Sequence, residues 1–261
     1  MADKVFVPKT KELPWDSYWK KTNYQREMEL CKSDGLLPIF DQYLNKRQAI
    51  VEAGCGAGKW VIYLGKKGYQ IIGVDNNLLG LKKLKEYYPA AKARYGDVRK
   101  MPFSKNSVDV YISLGVVEHF ETGPMLALKD AFRIVKPAGL AIVEVPFDNP
   151  LRRLRRLVGK LKFWRQKPKG REFYEYHYTK EELAGFMSKA GFKEIKYFPK
   201  DDLDPGKSIA LWLDWPKLRR KIDNPDFKLT TSGQGLKQIF NLLKLNWWYS
   251  ACMVAVAKKP E

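Results

Sequence analysis

Between residues 46 and 146, short apolar runs alternate with stretches whose apolar positions recur every three or four residues. Runs near 48–53, 70–75, 92–95, 108–113 and 139–145 read as strands, and stretches near 58–66, 77–87 and 123–135 as helices. Apolar strands alternating with helices predict right-handed βαβ units and a parallel sheet covered on both faces. Outside this region the pattern is more mixed. Residues 1–20 are polar and broken by Pro8 and Pro14, so the first dozen are expected to be mobile, and a helix opens near Trp15, Tyr18 and Trp19. Leu36 to Leu44 reads as a further helix. Leu151, Leu154, Leu157, Val158 and Leu161 recur at helical spacing among arginines, followed by Phe163-Trp164. Thr179-Lys180-Glu181-Glu182 has the form of a capping box, starting a helix that ends near Gly191. Phe192 to Pro199 reads as a sixth strand and Tyr249 to Ala257 as the last. The stretch between them, including Ile209 to Trp215 and Leu236 to Trp248, reads as a helical insertion.

Three glycines on alternate positions, Gly54, Gly56 and Gly58, follow the first strand of this region at once. Glycines are required where a chain leaves a strand, turns sharply and lets a ligand rest on its backbone. The turn aims free N–H groups of the next helix at an anionic group. Asp75 stands at the end of the second strand, where a carboxylate accepts from both hydroxyls of a ribose. Glu52, Asp75, Asp97 and Ser113 all fall at or near strand ends, where ligands of such sheets gather, so they should converge. Cys55 sits where a small side chain is needed and reads as a spacer.

The spacing departs from a dinucleotide fingerprint, because Lys59 stands where the third glycine would be. The pattern Glu52-x-Gly54-x-Gly56-x-Gly58 with an acid on the next strand resembles motif I of class I S-adenosylmethionine-dependent methyltransferases. Gly96-Asp97-Val98, Val108 to Ser113, Leu114 to Phe120, and Phe132 to Leu140 resemble further segments of the type 11, ubiquinone-biosynthesis-like, small-molecule branch. Ala138 and Leu140 depart from the branch's "R-x-L-K-P-G-G" turn. The resemblance covers residues 46 to 146 well. It implies a Rossmann-like α/β fold, with a seven-stranded, mostly parallel sheet whose last strand is antiparallel. Helical insertions follow strand 5, at about 147–178, and separate strands 6 and 7, at about 201–249. Residues 1–45 would form a helical lid over the cofactor, or a helix packed on the sheet edge, ahead of a methyltransferase domain spanning 46–261. S-adenosylmethionine would be the cofactor and S-adenosylhomocysteine the product. Gly54, Cys55, Gly56 and Gly58 would meet its methionine part by backbone, with Glu52 facing the ammonium. Asp97 would accept from the adenine amino group beside the Val98 backbone, with Leu114 and Met101 as walls. Asn76 would reach the adenine edge or cap a helix. His119 would act as a base or orient its loop, with Glu118 beside it, and His177 is a second candidate from the substrate side.

Bulk properties narrow the remainder. The 261 residues suffice for one α/β domain with insertions. Three scattered cysteines show no metal spacing and suit a reducing compartment. No run has the roughly 20 apolar residues of a membrane span. The start, Met-Ala-Asp-Lys-Val, lacks an apolar leader, so a cytoplasmic protein is expected, with membrane association open. The net charge of +19 is uneven: residues 1–150 hold 23 Lys+Arg against 17 Asp+Glu, and the other 111 hold 25 against 12. Residues 151–171 carry ten basic side chains and no acid. Such a basic amphipathic helix suits an anionic membrane, a greasy anionic substrate or RNA phosphates, or it packs its leucines inward with arginines in water. The expected acceptor is a small or lipid-linked molecule with apolar and anionic parts, with tRNA or rRNA as the alternative. Against RNA, Ser113-Leu114-Gly115-Val116 stands where an N-P-P-[YF] motif would be.

Overall fold

The computed structural model describes residues 2–9, 14–161, 170–200, 219–223 and 226–261. At its centre is a seven-stranded sheet built from β2 (Ala49–Ala53), β3 (Gln70–Asp75), β4 (Lys92–Tyr95), β5 (Val108–Leu114), β6 (Val135–Pro146), β8 (Lys193–Lys200) and β11 (Cys252–Lys258). Their spatial order is β4-β3-β2-β5-β6-β11-β8. Only β11 runs antiparallel, pairing with β6 and β8. Apolar residues alternate between the faces, as a strand's two-residue period demands. Ile50, Val110, Ile112 and Ile142 pack under α3 (Leu37–Tyr43) and α4 (Lys59–Lys66), while Val51, Tyr111, Ala141 and Val143 pack under α6 (Met125–Ile134) and α8 (Lys180–Ala190). The capping box at the start of α8 forms, with Thr179 and Glu182 each accepting from the other's backbone N–H. Helix α5 (Leu78–Tyr87) joins β3 to β4. Strand order reverses between β2 and β5, and that switch point opens the crevice for a ligand.

Two features depart from the sequence expectation. Residues 3–8, expected to be mobile, form strand β1 (Asp3–Pro8), antiparallel to β7 (Arg171–His177). Val5, Phe6 and Val7 suit a strand, but the partner lies far along the chain, so no local pattern reveals the pairing. The insertion before β11 holds a ribbon of β9 (Arg219–Asp223) and β10 (Asp226–Leu229) besides helices α9 (Thr231–Leu242) and α10 (Asn246–Tyr249). Phe163-Trp164 and Ile209 to Trp215 lie outside the described residues. Helices α1 (Pro14–Lys20), α2 (Tyr24–Lys32) and α7 (Pro150–Leu161) complete the chain. Among the described residues no helix is long and apolar enough to cross a membrane.

Candidate functional site

Strand β2 ends at Ala53 and α4 begins at Lys59, so the chain must reverse within five residues. β3 holds the turn. The Val74 carbonyl accepts from the N–H groups of Gly54 (2.7 Å) and Cys55 (3.1 Å), and Asp75 Oδ2 accepts from that of Gly56 at 2.6 Å. Gly54 (φ +76°) and Gly56 (φ +53°) adopt left-handed backbone, which costs other residues about 1–2 kcal/mol. Space forbids a side chain as well. A Cβ would stand 2.4 Å from Val116 at Gly54 and 2.2 Å from the Trp19 ring at Gly56. Cys55 packs its sulfur onto Gly73, and burial pushes its thiol pKa well up, so it is a spacer.

Two adjoining hollows of about 210 and 440 Å³ open beside the turn, sharing a wall of Trp19, Gly54, Leu114 and Gly115. In the smaller one Glu52 is only 4% exposed, and its Oε2 has no hydrogen-bond partner among the described residues. Burial raises its pKa to about 8, against the opposing pull of Lys59. Lys200 Nζ lies 3.1 Å from Glu144 Oε1 and 3.5 Å from Asp34 Oδ1, and Lys59 Nζ lies 3.6 Å from Asp34 Oδ2. The hollow therefore presents both signs of charge, as a zwitterion requires.

The larger hollow is bordered by Asp75, Asn76, Asp97, Val98, His119 and Phe120. Asp75 Oδ1 accepts from Asn77 N–H at 2.7 Å. Burial raises the Asp75 pKa, and the backbone donors of Asn77, Gly56 and Asn76 pull the other way. Asn77 Oδ1 caps α5 by accepting from Gly80 N–H, while its Nδ2 donates to Asp16 of α1 at 2.6 Å. Arg99 clasps Asp97 with Nε (3.0 Å) and Nη2 (2.6 Å), which lowers that carboxyl's pKa, and its guanidinium lies 5.0 Å from the Phe120 ring.

His119 packs edge-on against Trp15 (4.9 Å) and Tyr174 (5.1 Å). Its Nδ1 lies 2.7 Å from the Tyr174 carbonyl, which only accepts, so Nδ1 carries the proton. Burial lowers its pKa, partly offset by that carbonyl and by Glu175, and the neutral ring keeps a lone pair on Nε2. Glu118 is 1% exposed, with Oε2 unpartnered among the described residues, and burial raises its pKa well above normal. One donor atom each from Glu118, His119 and Glu175 lies within 4.8 Å of the others, close enough to share a cation. Sequence spacing hid this set because Glu175 comes from β7.

Residues 51–143 match the family model described as a methyltransferase domain. A probable S-adenosylmethionine-dependent methyltransferase of Mycolicibacterium smegmatis is 28% identical over 37% of this chain and 37% of its own length. A tRNA N(3)-methylcytidine methyltransferase of Drosophila melanogaster is 24% identical over 69% of this chain and 57% of its own. A chloroplastic 2-methyl-6-phytyl-1,4-hydroquinone methyltransferase of Oryza sativa is 25% identical over 75% and 55%. The chain spans about half the length of the curated relatives it matches. A solved S-adenosylmethionine-dependent methyltransferase of Thermotoga maritima shares the fold, with TM-score 0.56, 21% identity, and coverage of 94% of this chain and 99% of its own. Residues 51–143 are a class I, type 11 methyltransferase domain.

The cofactor of such methyltransferases is S-adenosylmethionine, and this site fits it. The orphaned Glu52 oxygen and the mixed charges suit an amino acid end, and Asp75 stands over the adjoining hollow for a ribose. Of the sequence candidates, Glu52, Gly54, Cys55 and Gly58 border the smaller hollow, and Gly54, Asp75, Asn76, Asp97, Val98, Leu114 and His119 the larger. Others fall elsewhere. Gly56 lies under Trp19 and acts through its N–H on Asp75. Ser113 is fully buried and borders neither hollow, because strand alternation turns Leu114 outward in its place. Met101 belongs to the core. Capping falls to Asn77, which leaves Asn76 on the wall. Glu118 and His177 also border neither hollow, and His177 Nε2 pairs with Glu175 Oε1 at 2.8 Å. Sequence reasoning missed Asp34, Lys59, Glu144, Arg99, Glu175 and Lys200. Glu144 is near a strand end like Glu52, so the same rule applied to β6 finds it.

Folded Glu52 keeps its proton to about pH 8, whereas an unfolded glutamate ionises near 4.5. Wild-type stability must therefore fall as pH rises through that window. In ligand-free thermal melts Glu52→Gln is expected to match wild type near pH 4, below the unfolded pKa, and to melt several degrees higher at pH 8.5. Equal midpoints at both pH values would mean that the carboxylate is solvated.

Proposed function

We propose that the protein transfers the methyl group of S-adenosylmethionine to a small-molecule or lipid-linked acceptor bearing an apolar part and a negative group, leaving S-adenosylhomocysteine. One observation carries the reading: the buried Glu52 carboxyl, whose Oε2 has no partner among the described residues, lies near Lys59 and opens into the same crevice as Asp75. The bound sulfonium supplies an activated methyl group, so the protein's task is chiefly to position the two reactants. Glu52 faces the ammonium and Lys59 the carboxylate of the amino acid end. Asp75, already held by backbone N–H groups that include those of Gly56 and Asn77, accepts from the ribose hydroxyls through its remaining lone pairs. Asp97, held by Arg99, and the Val98 backbone serve the adenine edge. Helix α1 acts as a lid, lying over the turn through Trp19 and tied to α5 by the Asp16–Asn77 bond. His119 Nε2 accepts the acceptor's proton where the nucleophile is a hydroxyl or amine.

The aromatic wall of Trp15, Trp19 and Phe120, with Tyr174 stacked behind Trp15, and the basic excess after residue 150 favour an acceptor that is part apolar and part anionic. The name of the rice relative, a phytyl hydroquinone methyltransferase, supports the apolar part of that acceptor. RNA is the second reading, favoured by the name of the Drosophila relative and by the net charge of +19.

Isothermal titration is expected to show S-adenosylhomocysteine binding, weakened about tenfold or more by Asp75→Ala through loss of charged hydrogen bonds. Unchanged affinity would remove Asp75 from the ribose role. His119→Ala should lower turnover at least about tenfold if the imidazole takes a proton, and a near-normal rate would make it a loop anchor.

A further inference from the structure

Helix α7 presents its faces the opposite way round from an ordinary surface helix. At about 100° per residue, Arg152 and Arg156 share one side and Leu154 and Leu157 the other. The arginine side faces the protein. Arg152 is 7% exposed, with Nη1 donating to the Phe147 carbonyl at 2.8 Å. Arg156 forks onto Asp148 (2.6 and 2.7 Å) and also reaches Asp3 of β1 at 2.7 Å. The leucine side faces outward, with Leu154 56% and Leu157 64% exposed. Leu151, one turn earlier, and Leu236 and Phe240 of α9 all pack on Tyr249 of α10, so one small apolar cluster joins α7 to α9 through α10. Helices α9 and α10 and the turn between them repeat the feature: Leu242 is 81% and Leu243 62% exposed, and Ile239 and Trp248 are each half exposed.

The sequence here is basic: residues 150–161 and 230–250 hold no acid. Arg153 stands at the rim of the apolar surface and Lys244 is exposed. The Arg156–Asp3 bond ties α7 to the β1–β7 ribbon, whose Tyr174 packs on His119 beside the larger hollow. Helix α7 thus follows the end of β6 and is tied to the ribbon that borders the crevice.

We infer that the outer face of α7 and α9 docks on an anionic membrane surface, its leucines entering the headgroup layer and its cations meeting lipid phosphates. Exposed aliphatic side chains gain by leaving water for acyl chains, and basic neighbours add attraction to anionic lipid. Single-stranded nucleic acid is bound by a basic groove with stacked aromatics, so five exposed aliphatic side chains favour lipid over RNA. The inference rests on the lipid-linked acceptor reading for its purpose: a docked face holds the crevice near acceptors dissolved in the bilayer.

The test is sedimentation of the full chain with vesicles of phosphatidylcholine alone or mixed equally with phosphatidylglycerol. Wild type is expected to sediment with the mixed vesicles and stay in solution with the neutral ones. The exposed pair Leu154→Glu with Leu242→Glu should weaken that binding about tenfold or more, since two inserted side chains become charged. Titration of S-adenosylhomocysteine into the same preparations should be unchanged, which shows an intact fold. Wild type that ignores anionic vesicles, or a double variant that binds them as well as wild type, overturns the docking face. So does a salt-sensitive tRNA shift without vesicle binding, or a dimer that the double variant dissolves. Loss of S-adenosylhomocysteine binding by wild type would overturn the methyl-donor reading instead.

Discussion

The carboxylate of Asp75 joins two strands at the one place where the sheet opens. Its Oδ2 accepts from Gly56 and its Oδ1 from Asn77, so one side chain fixes both the glycine turn after β2 and the start of α5. The Val74 carbonyl next to it takes the N–H groups of Gly54 and Cys55. Backbone donors that a sharp turn would leave unpaired are thereby satisfied from the neighbouring strand, and the left-handed glycines can be tolerated. Both hollows depend on that arrangement. If the turn relaxed, Val116 and Trp19 would lose the glycine surface they pack on.

Charge in the crevice is arranged for a ligand with both signs. Glu52 is buried, has no partner at Oε2 among the described residues and is reluctant to ionise, which is a cost the fold bears. Asp34, Glu144, Lys59 and Lys200 offset one another at 3.1–3.6 Å. The same logic governs the basic insertion. Arg152 and Arg156 are turned inward onto carbonyl and carboxylate oxygens, and the leucines are left outside. The β1–β7 ribbon links the two regions, with Asp3 bonded to Arg156 and Tyr174 packed on His119.

The central sheet was legible because its signals are local. Apolar runs such as Ala49–Ala53 and Gln70–Asp75 carry their own period, and the capping residues of α8 mark its start. The glycine turn and Asp75 were legible because their chemistry forces residue type at fixed positions. What escaped depends on distant partners. Strand β1 needs β7 to exist, and Glu175 joins Glu118 and His119 only after that ribbon has formed. Ser113 was misplaced by one residue of strand alternation, and capping of α5 fell one residue beyond Asn76, where Asn77 also meets Asp16. The inward turn of Arg152 and Arg156 fits none of the readings open from the sequence, because it depends on the Phe147 carbonyl and Asp148 beneath them.

A crystal structure of the protein soaked with S-adenosylhomocysteine tests the central claim most directly. The account predicts ribose hydroxyls on the Asp75 carboxylate, adenine between Asp97 and Phe120, and the amino acid end beside Glu52 and Lys59. Density for the nucleoside outside the two hollows, or a ribose bound without Asp75, would contradict it.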